Sequence, residues 1–225
     1  MTAPAPSPRR LPREQRARQI LDVAHARFAA EGFAAVTMDG VAAEVGVTKP
    51  LLYAYWGNKE RLYVACLERD AELLMDTVGA AVNAASTPAD ALDLGLRSFF
   101  SFVSDERGAF RVLFDETLPA SGEVARKVTE HRERITALVA TTLIEQLPPG
   151  SRRKARVEVE ALSHALLGAA EALARWWLRT GEIPATDAAE LLIATVTPGL
   201  RARSEAAITA AGRLTTSTKS GGSTT

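Results

Sequence analysis

Apolar residues recur along this chain at intervals of three and four, the period of helices that lie with one face on a core. Ile20, Ala24 and Phe28 share a face at i, i+4 and i+8 and predict a first helix from about Arg13 to Ala30. Gly32 follows as a left-handed C-terminal cap. Thr37 is suited to N-cap a second, short helix to about Val45, which Gly46 interrupts. Thr48 is placed to cap a third helix through about Tyr55, with Pro50 in its first turn, where a missing N–H costs little. Gly57-Asn58 makes the next break, and Asn58 starts a long helix carrying Leu62, Leu67, Leu74 and Val78.

Farther on, Thr87-Pro88-Ala89-Asp90 combines an N-cap, a proline at the first helical position and an acid three residues after the cap. That helix is expected to reach Val103. Others are expected over 105–116, 123–147, 152–179 and 186–203, the last kinked at Pro198-Gly199. One conflict stands out: Arg152, Arg153 and Lys154 would sit at a helix N-terminus, where the dipole disfavours cations. No alternating run bounded by turn residues suggests a strand, so the fold class is all-α.

Composition narrows the function classes. With 47% hydrophobic residues among 225, wholesale disorder is excluded. The single cysteine, Cys66, excludes an internal disulfide framework and a multi-cysteine zinc site. No run approaches the roughly 20 apolar residues of a membrane span, and no signal peptide is evident, so a cytoplasmic protein without a membrane partner is expected. Lys+Arg and Asp+Glu are equal at 27 each, so any affinity for nucleic acid must come from local charge. Arg9, Arg10, Arg13, Arg16 and Arg18 supply such a cluster against one acid, Glu14. The proline-rich residues 1–12 read as a disordered N-terminal arm, and the Ser/Thr/Gly-rich residues 213–225 as a disordered tail.

The chemistry concentrates in residues 37–56, TMDGVAAEVGVTKPLLYAYW. Two short helices around a glycine-containing turn make a helix-turn-helix plan. Val41, Ala42 and Val45 can pack inward, the small Ala42 and Ala43 permit close helix approach, and Val47 and Leu52 close the core from the other side. Thr48, Lys49, Leu51, Tyr53 and Tyr55 are then left toward solvent. That face suits a major groove: hydroxyls and an ammonium reach phosphates, and Leu51 can contact a thymine methyl.

Residues 13–69 strongly resemble the N-terminal domain of TetR-family bacterial transcriptional regulators. The matching positions are Phe28, Gly32, Phe33, Thr37, Val41, Ala42, Gly46, Val47, Thr48, Leu52, Tyr53, Tyr55, Trp56, Asn58, Lys59 and Leu62. Trp56 and Pro50 depart mildly from the pattern, where Phe and Gly or Ala are commoner. The resemblance implies DNA contacts from Thr37, Thr48, Lys49, Pro50, Leu51, Tyr53, Tyr55 and Lys59. It also implies a helix-turn-helix DNA-binding domain over 13–60 and a helical ligand-binding and dimerisation domain over 61–212. The expected function is a repressor released from a near-palindromic double-stranded operator by a small-molecule ligand.

A homodimer is expected because one short recognition helix makes few contacts, and two copies read two half-sites. Leu162, Leu166, Leu173, Trp176, Leu192 and Val196 are dimer-interface candidates. Phe99, Phe102, Phe110, Leu113, Phe114, His131, Ile135, Leu138 and Trp177 are candidates for a ligand pocket. The competing readings are a helical enzyme and an interaction protein without DNA function. No catalytic constellation supports the first: His25, His131 and His164 are scattered, and no Gly-rich phosphate loop or nucleophile elbow occurs. Glu160 and His164 at i, i+4 form a two-ligand edge without a third ligand, so neither metal nor cofactor is expected.

Overall fold

The computed structural model describes residues 12–200 and residue 202. The arginines at 9 and 10, the 213–225 tail and the expected end of the last helix lie outside the described residues. Nine helices follow one another among the described residues: α1 (Arg13–Ala35), α2 (Met38–Val45), α3 (Lys49–Trp56), α4 (Lys59–Asn83), α5 (Pro88–Asp105), α6 (Arg107–Leu113), α7 (Glu123–Glu145), α8 (Pro149–Thr180) and α9 (185–200). The first three and the start of α4 form a head. The remainder of α4 runs into a body built with α5 to α9, where it packs on α5, α6 and α7.

The head closes on the periodic positions. Ile20, Ala24 and Phe28 of α1 are buried with Val41, Ala42, Val45 and Leu52, and with Leu62, Tyr63, Cys66 and Leu67 of α4. Its breaks have the expected chemistry. The Thr37 hydroxyl oxygen accepts from Gly40 N–H at 3.1 Å, and Asn58 Oδ1 accepts from Arg61 N–H at 2.8 Å. Thr48 stands at the N-cap of α3, but its side chain makes no capping bond. Gly46 adopts φ 74°, ψ 35°, the left-handed region that costs a glycine nothing. Gly32 departs from the expected left-handed cap: at φ 79°, ψ 163° it occupies a region open almost only to glycine. The chain bends there and resumes one helical turn, 33–35, before α2.

The conflict at 152–154 resolves because α8 starts earlier, at Pro149. Arg152 is then in the helix, and its guanidinium donates back to the carbonyls of Leu147 (3.0 Å) and Glu145 (3.3 Å). It satisfies carbonyls at the C-terminus of α7, where a cation is favoured. Other boundaries shift by a few residues: α5 extends to Asp105, and α6 shortens to Arg107–Leu113. Residues 191–200 are helical throughout, so Pro198-Gly199 does not interrupt α9.

Head and body meet along a seam centred on Tyr63. Its ring is edge-on to Phe28 (4.9 Å between centroids) and Phe33 (5.1 Å), and its hydroxyl donates to the Val112 carbonyl of α6 at 2.6 Å. His25 Nε2 of α1 lies 2.8 Å from Asp70 Oδ2 of α4. Cys66, also on this seam, is fully buried, and desolvation pushes its thiol up to about 12. At the far end, Trp177 Nε1 donates to the Ile183 carbonyl at 2.6 Å and fixes the turn into α9. Arg97 pairs with Glu190, and Thr197 donates to Asp93 at 3.0 Å, which hold α9 on α5.

Candidate nucleic-acid interface and apolar cavity

The short α3 exposes Lys49, Pro50, Leu51 and Tyr53 while burying Leu52. Its Leu52 anchor therefore points inward and its opposite face outward, which is the requirement for a recognition helix. Thr37 and Thr48 are exposed beside it, and Tyr55 is half-buried with the Arg13 guanidinium 5.7 Å from its ring centroid. The pair brings the N-terminus of α1 onto the same side as the groove-facing residues. The Thr37 oxygen is occupied as an acceptor by Gly40 N–H, which leaves its O–H proton to donate outward.

Two of the implied contacts carry internal partners. Lys49 Nζ lies 2.8 Å from Asp39 Oδ1, and that bond raises the lysine pKa, so the ammonium stays charged. Lys59 Nζ donates to the Ala34 carbonyl at 3.3 Å and rests 4.3 Å from the Phe33 ring centroid. An ammonium has three donors, so Lys59 can hold the head's own turn and still meet a phosphate. The Asp39 partner of Lys49 was not singled out in the sequence, although a carboxylate ten residues before a groove-facing lysine was the available signal. Asp39→Asn frees Lys49 and removes an acid from the face. Expected is tighter DNA binding, because an acid facing the phosphates is removed. Fluorescence anisotropy with labelled operator checks it, and unchanged or weaker binding would place Asp39 away from the DNA.

The body holds a partly open cavity of about 70 Å³ between α4, α5, α7 and α8. Its walls are almost wholly apolar, and the hydroxyl of Thr142, which belongs to the lining, donates to the Leu138 carbonyl of its own helix at 3.0 Å. Of the sequence-predicted pocket residues, Phe99, Phe114, Ile135 and Leu138 line it. Phe102, Phe110, Leu113 and Trp177 do not; they are buried in the surrounding core. His131 is a further correction: it is buried one turn before Ile135, outside the lining, with Nδ1 3.4 Å from Arg134 Nη1. Lining residues missed in the sequence include Leu74, Val78, Leu92, Leu96 and Leu166, whose spacing is indistinguishable from ordinary core.

Burial, and then the Arg134 charge, lower the His131 pKa. A histidine held neutral in the native state binds fewer protons than in the unfolded chain below about pH 6.5. Stability is then present above the unfolded pKa and lost as the pH falls from there toward the folded value. His131→Gln is expected to flatten this part of the profile, read as the melting temperature between pH 7.5 and 5.5. A parallel decline in both proteins would contradict it.

The dimer candidates divide. Leu166 and Leu192 are buried within the single chain, Leu166 in the cavity wall, so neither has surface for a partner. Leu162, Leu173, Trp176 and Val196 are half-buried. Next to them α8 exposes the small residues Ala161, Ala165, Gly168 and Ala172, and Val157 and Leu191 are 77% and 55% exposed. Glu160 and His164 are both exposed, and no group of three metal-ligating side chains occurs among the described residues. No helix among the described residues is long and apolar enough to cross a membrane.

An outward recognition helix on a three-helix head, joined by a shared helix to a larger helical body with an internal cavity, defines a helix-turn-helix protein of two functional parts. Residues 20–66 match the family model of bacterial regulatory proteins of the tetR family, and residues 88–199 match that of the tetracyclin repressor-like C-terminal domain. A TetR-like transcriptional regulator from Rhodococcus sp. RHA1 superposes with a TM-score of 0.70 at 31% identity, over 85% of this chain and 99% of that one. The chain belongs to the TetR family. It is also 32% identical over 130 residues to the HTH-type transcriptional activator FasR of Mycolicibacterium smegmatis, 58% of this chain and 59% of FasR. It thus spans about three fifths of that relative's length. AibR, solved with isovaleryl coenzyme A and operator DNA, shares the fold at a TM-score of 0.66 and 19% identity, over 81% of this chain and 98% of AibR.

Proposed function

We propose that this protein is a cytoplasmic, sequence-specific DNA-binding regulator, a homodimer released from a near-palindromic operator by a small apolar ligand. The observation that carries the reading is the combination of α3, exposed at Lys49, Pro50, Leu51 and Tyr53, with an apolar cavity in the body that α4 joins to the head. Two heads presented by one dimer read half-sites about 34–36 Å apart. The exposed small residues of α8 let two copies of that helix approach closely, with Leu162, Leu173, Trp176 and Leu191 around the contact. A ligand that favours one head separation over another shifts the population of DNA-competent dimers.

The lining defines the ligand's chemistry. With its one hydroxyl already bonded to its own helix, the cavity rewards hydrocarbon surface and would leave a buried polar group unpaired. At about 70 Å³ it is roughly half the size of an apolar cavity that accepts one benzene, so a larger ligand either reaches out through the open side or displaces a wall. The decisive experiment selects bound sequences from a random DNA pool at about 150 mM salt, where non-specific contacts are weakened. Recovery of a palindrome is expected. A folded dimer that enriches no motif would overturn DNA recognition.

A further inference from the structure

We infer that Asp115 and Thr117, in the loop after α6, are positioning residues that transmit the state of the cavity to the DNA-binding head. This rests on the proposed ligand-responsive regulation and adds to it a route separate from α4.

Three observations meet in this loop. Asp115 Oδ2 accepts from the Phe33 backbone N–H at 2.6 Å, and the Thr117 hydroxyl oxygen accepts from the Ala34 N–H at 3.2 Å. Asp115 Oδ1 in turn accepts from both the N–H and the hydroxyl of Thr117 at 2.7 Å, which makes the two side chains one unit. The donors are the two residues just after Gly32, where the bend in α1 leaves N–H groups without helical partners. They lie three and four residues before Thr37, the N-cap of α2. The loop therefore sets the direction in which the chain enters the helix-turn-helix.

The second observation is what precedes Asp115. Phe114 lines the apolar cavity, and it is the one lining residue, among the described residues, outside a helix. Every other wall belongs to α4, α5, α7 or α8, where displacing a side chain disturbs a packed helix. A ligand too large for the cavity displaces part of its wall, and the Phe114 wall, packed on Phe110 with ring centroids 4.7 Å apart, is covalently bonded to Asp115. The third observation is the closeness of fit at the receiving end. A Cβ at Gly32 would lie 3.0 Å from the Thr117 hydroxyl oxygen, so the loop touches the bend with no slack. Moving Phe114 outward thus pulls two acceptors off the backbone that orients α2 and α3.

The test fills the cavity from within and needs no known ligand. Leu138→Trp and Ala170→Leu each enlarge a lining side chain, and circular dichroism establishes which variants keep the native melting profile. Hydrogen exchange of the Phe33 and Ala34 amides is read in the full chain without DNA. Exchange at least ~10-fold faster in a folded cavity-filled variant, with α2 unchanged, is expected; unchanged exchange overturns the coupling. Asp115→Ala is measured in parallel and is expected to release the same two amides. On the selected palindrome, Asp115→Ala is expected to bind about 10-fold more weakly. Leu138→Trp should add little in the Asp115→Ala background, although it costs a similar factor alone. Full additivity of the two losses would make Asp115 a merely structural residue and overturn the proposal. Asp115→Asn, which keeps an acceptor for Phe33 N–H, is expected to recover most of the lost affinity. The exchange arm uses no DNA, so it fails or succeeds independently of the regulatory reading. If neither filled variant folds, the Asp115→Ala exchange decides: protected Phe33 and Ala34 amides in that variant overturn the inference.

Discussion

Tyr63→Ala is expected to lower the unfolding free energy by about 3–5 kcal/mol, the range for deleting a large buried ring. That is a large share of the roughly 5–15 kcal/mol that holds an ordinary domain together. The ring is fully buried and meets the edges of Phe28 and Phe33, so its loss empties the centre of the head–body seam. The hydroxyl has a separate task. Val112 lies in the last turn of α6, where carbonyls lack helical partners, and Tyr63 supplies the missing donor. Burial also holds this phenol un-ionised, with a raised pKa that keeps the proton available to donate. Tyr63→Phe is therefore expected to cost only about 1–3 kcal/mol, that of one unsatisfied buried acceptor. Urea unfolding of the two variants separates ring from hydroxyl. A Tyr63→Ala loss below about 1 kcal/mol would mean that the seam is not a packed core.

Lys49→Ala is expected to lower operator affinity about 100-fold. The proposed dimer loses two charged contacts, each worth about 1.5 kcal/mol or more, and about 3 kcal/mol is about two decades in affinity. The substitution also leaves Asp39 without its cation, facing the same phosphates. The salt slope should fall by roughly 1.8, while the melting temperature should scarcely change because the pair is solvent-exposed. Titration of labelled operator at two or more salt concentrations reads both quantities. An unchanged slope would remove Lys49 from the interface.

Local chemistry made the head readable. Phe28, Thr37, Gly46, Leu52 and Asn58 act through their own spacing, their own capping oxygen or their own φ, and each does in three dimensions what its neighbours in sequence imply. Gly46 and Gly32 show the limit of that logic. Both glycines were legible as breaks between helices. An added Cβ at Gly46 meets nothing within 4 Å, whereas at Gly32 it meets Thr117, 85 residues away. Replacement at Gly32 therefore adds a close approach to the backbone strain, and no local pattern announces that approach. The same distance problem hid the cavity. Leu96, Leu166 and Phe102 all recur at helical intervals, but only the way α5 and α8 pack decides that the first two face a void and Phe102 faces core. Arg152 looked misplaced because the start of α8 was set three residues late. The Pro149 start makes it a cap for the helix before.

Cys66 has a practical consequence for following the two heads. The chain has no other cysteine, and this one is sealed in the seam with its pKa near 12, so almost no thiolate exists at neutral pH to react with a labelling reagent. The native sequence is thus spectroscopically silent toward maleimide and methanethiosulfonate probes. A cysteine introduced at the exposed Glu44 of α2 would carry the only label on each protomer of the proposed homodimer, and pulsed dipolar spectroscopy between the two copies would give the spacing of the heads as a distance distribution.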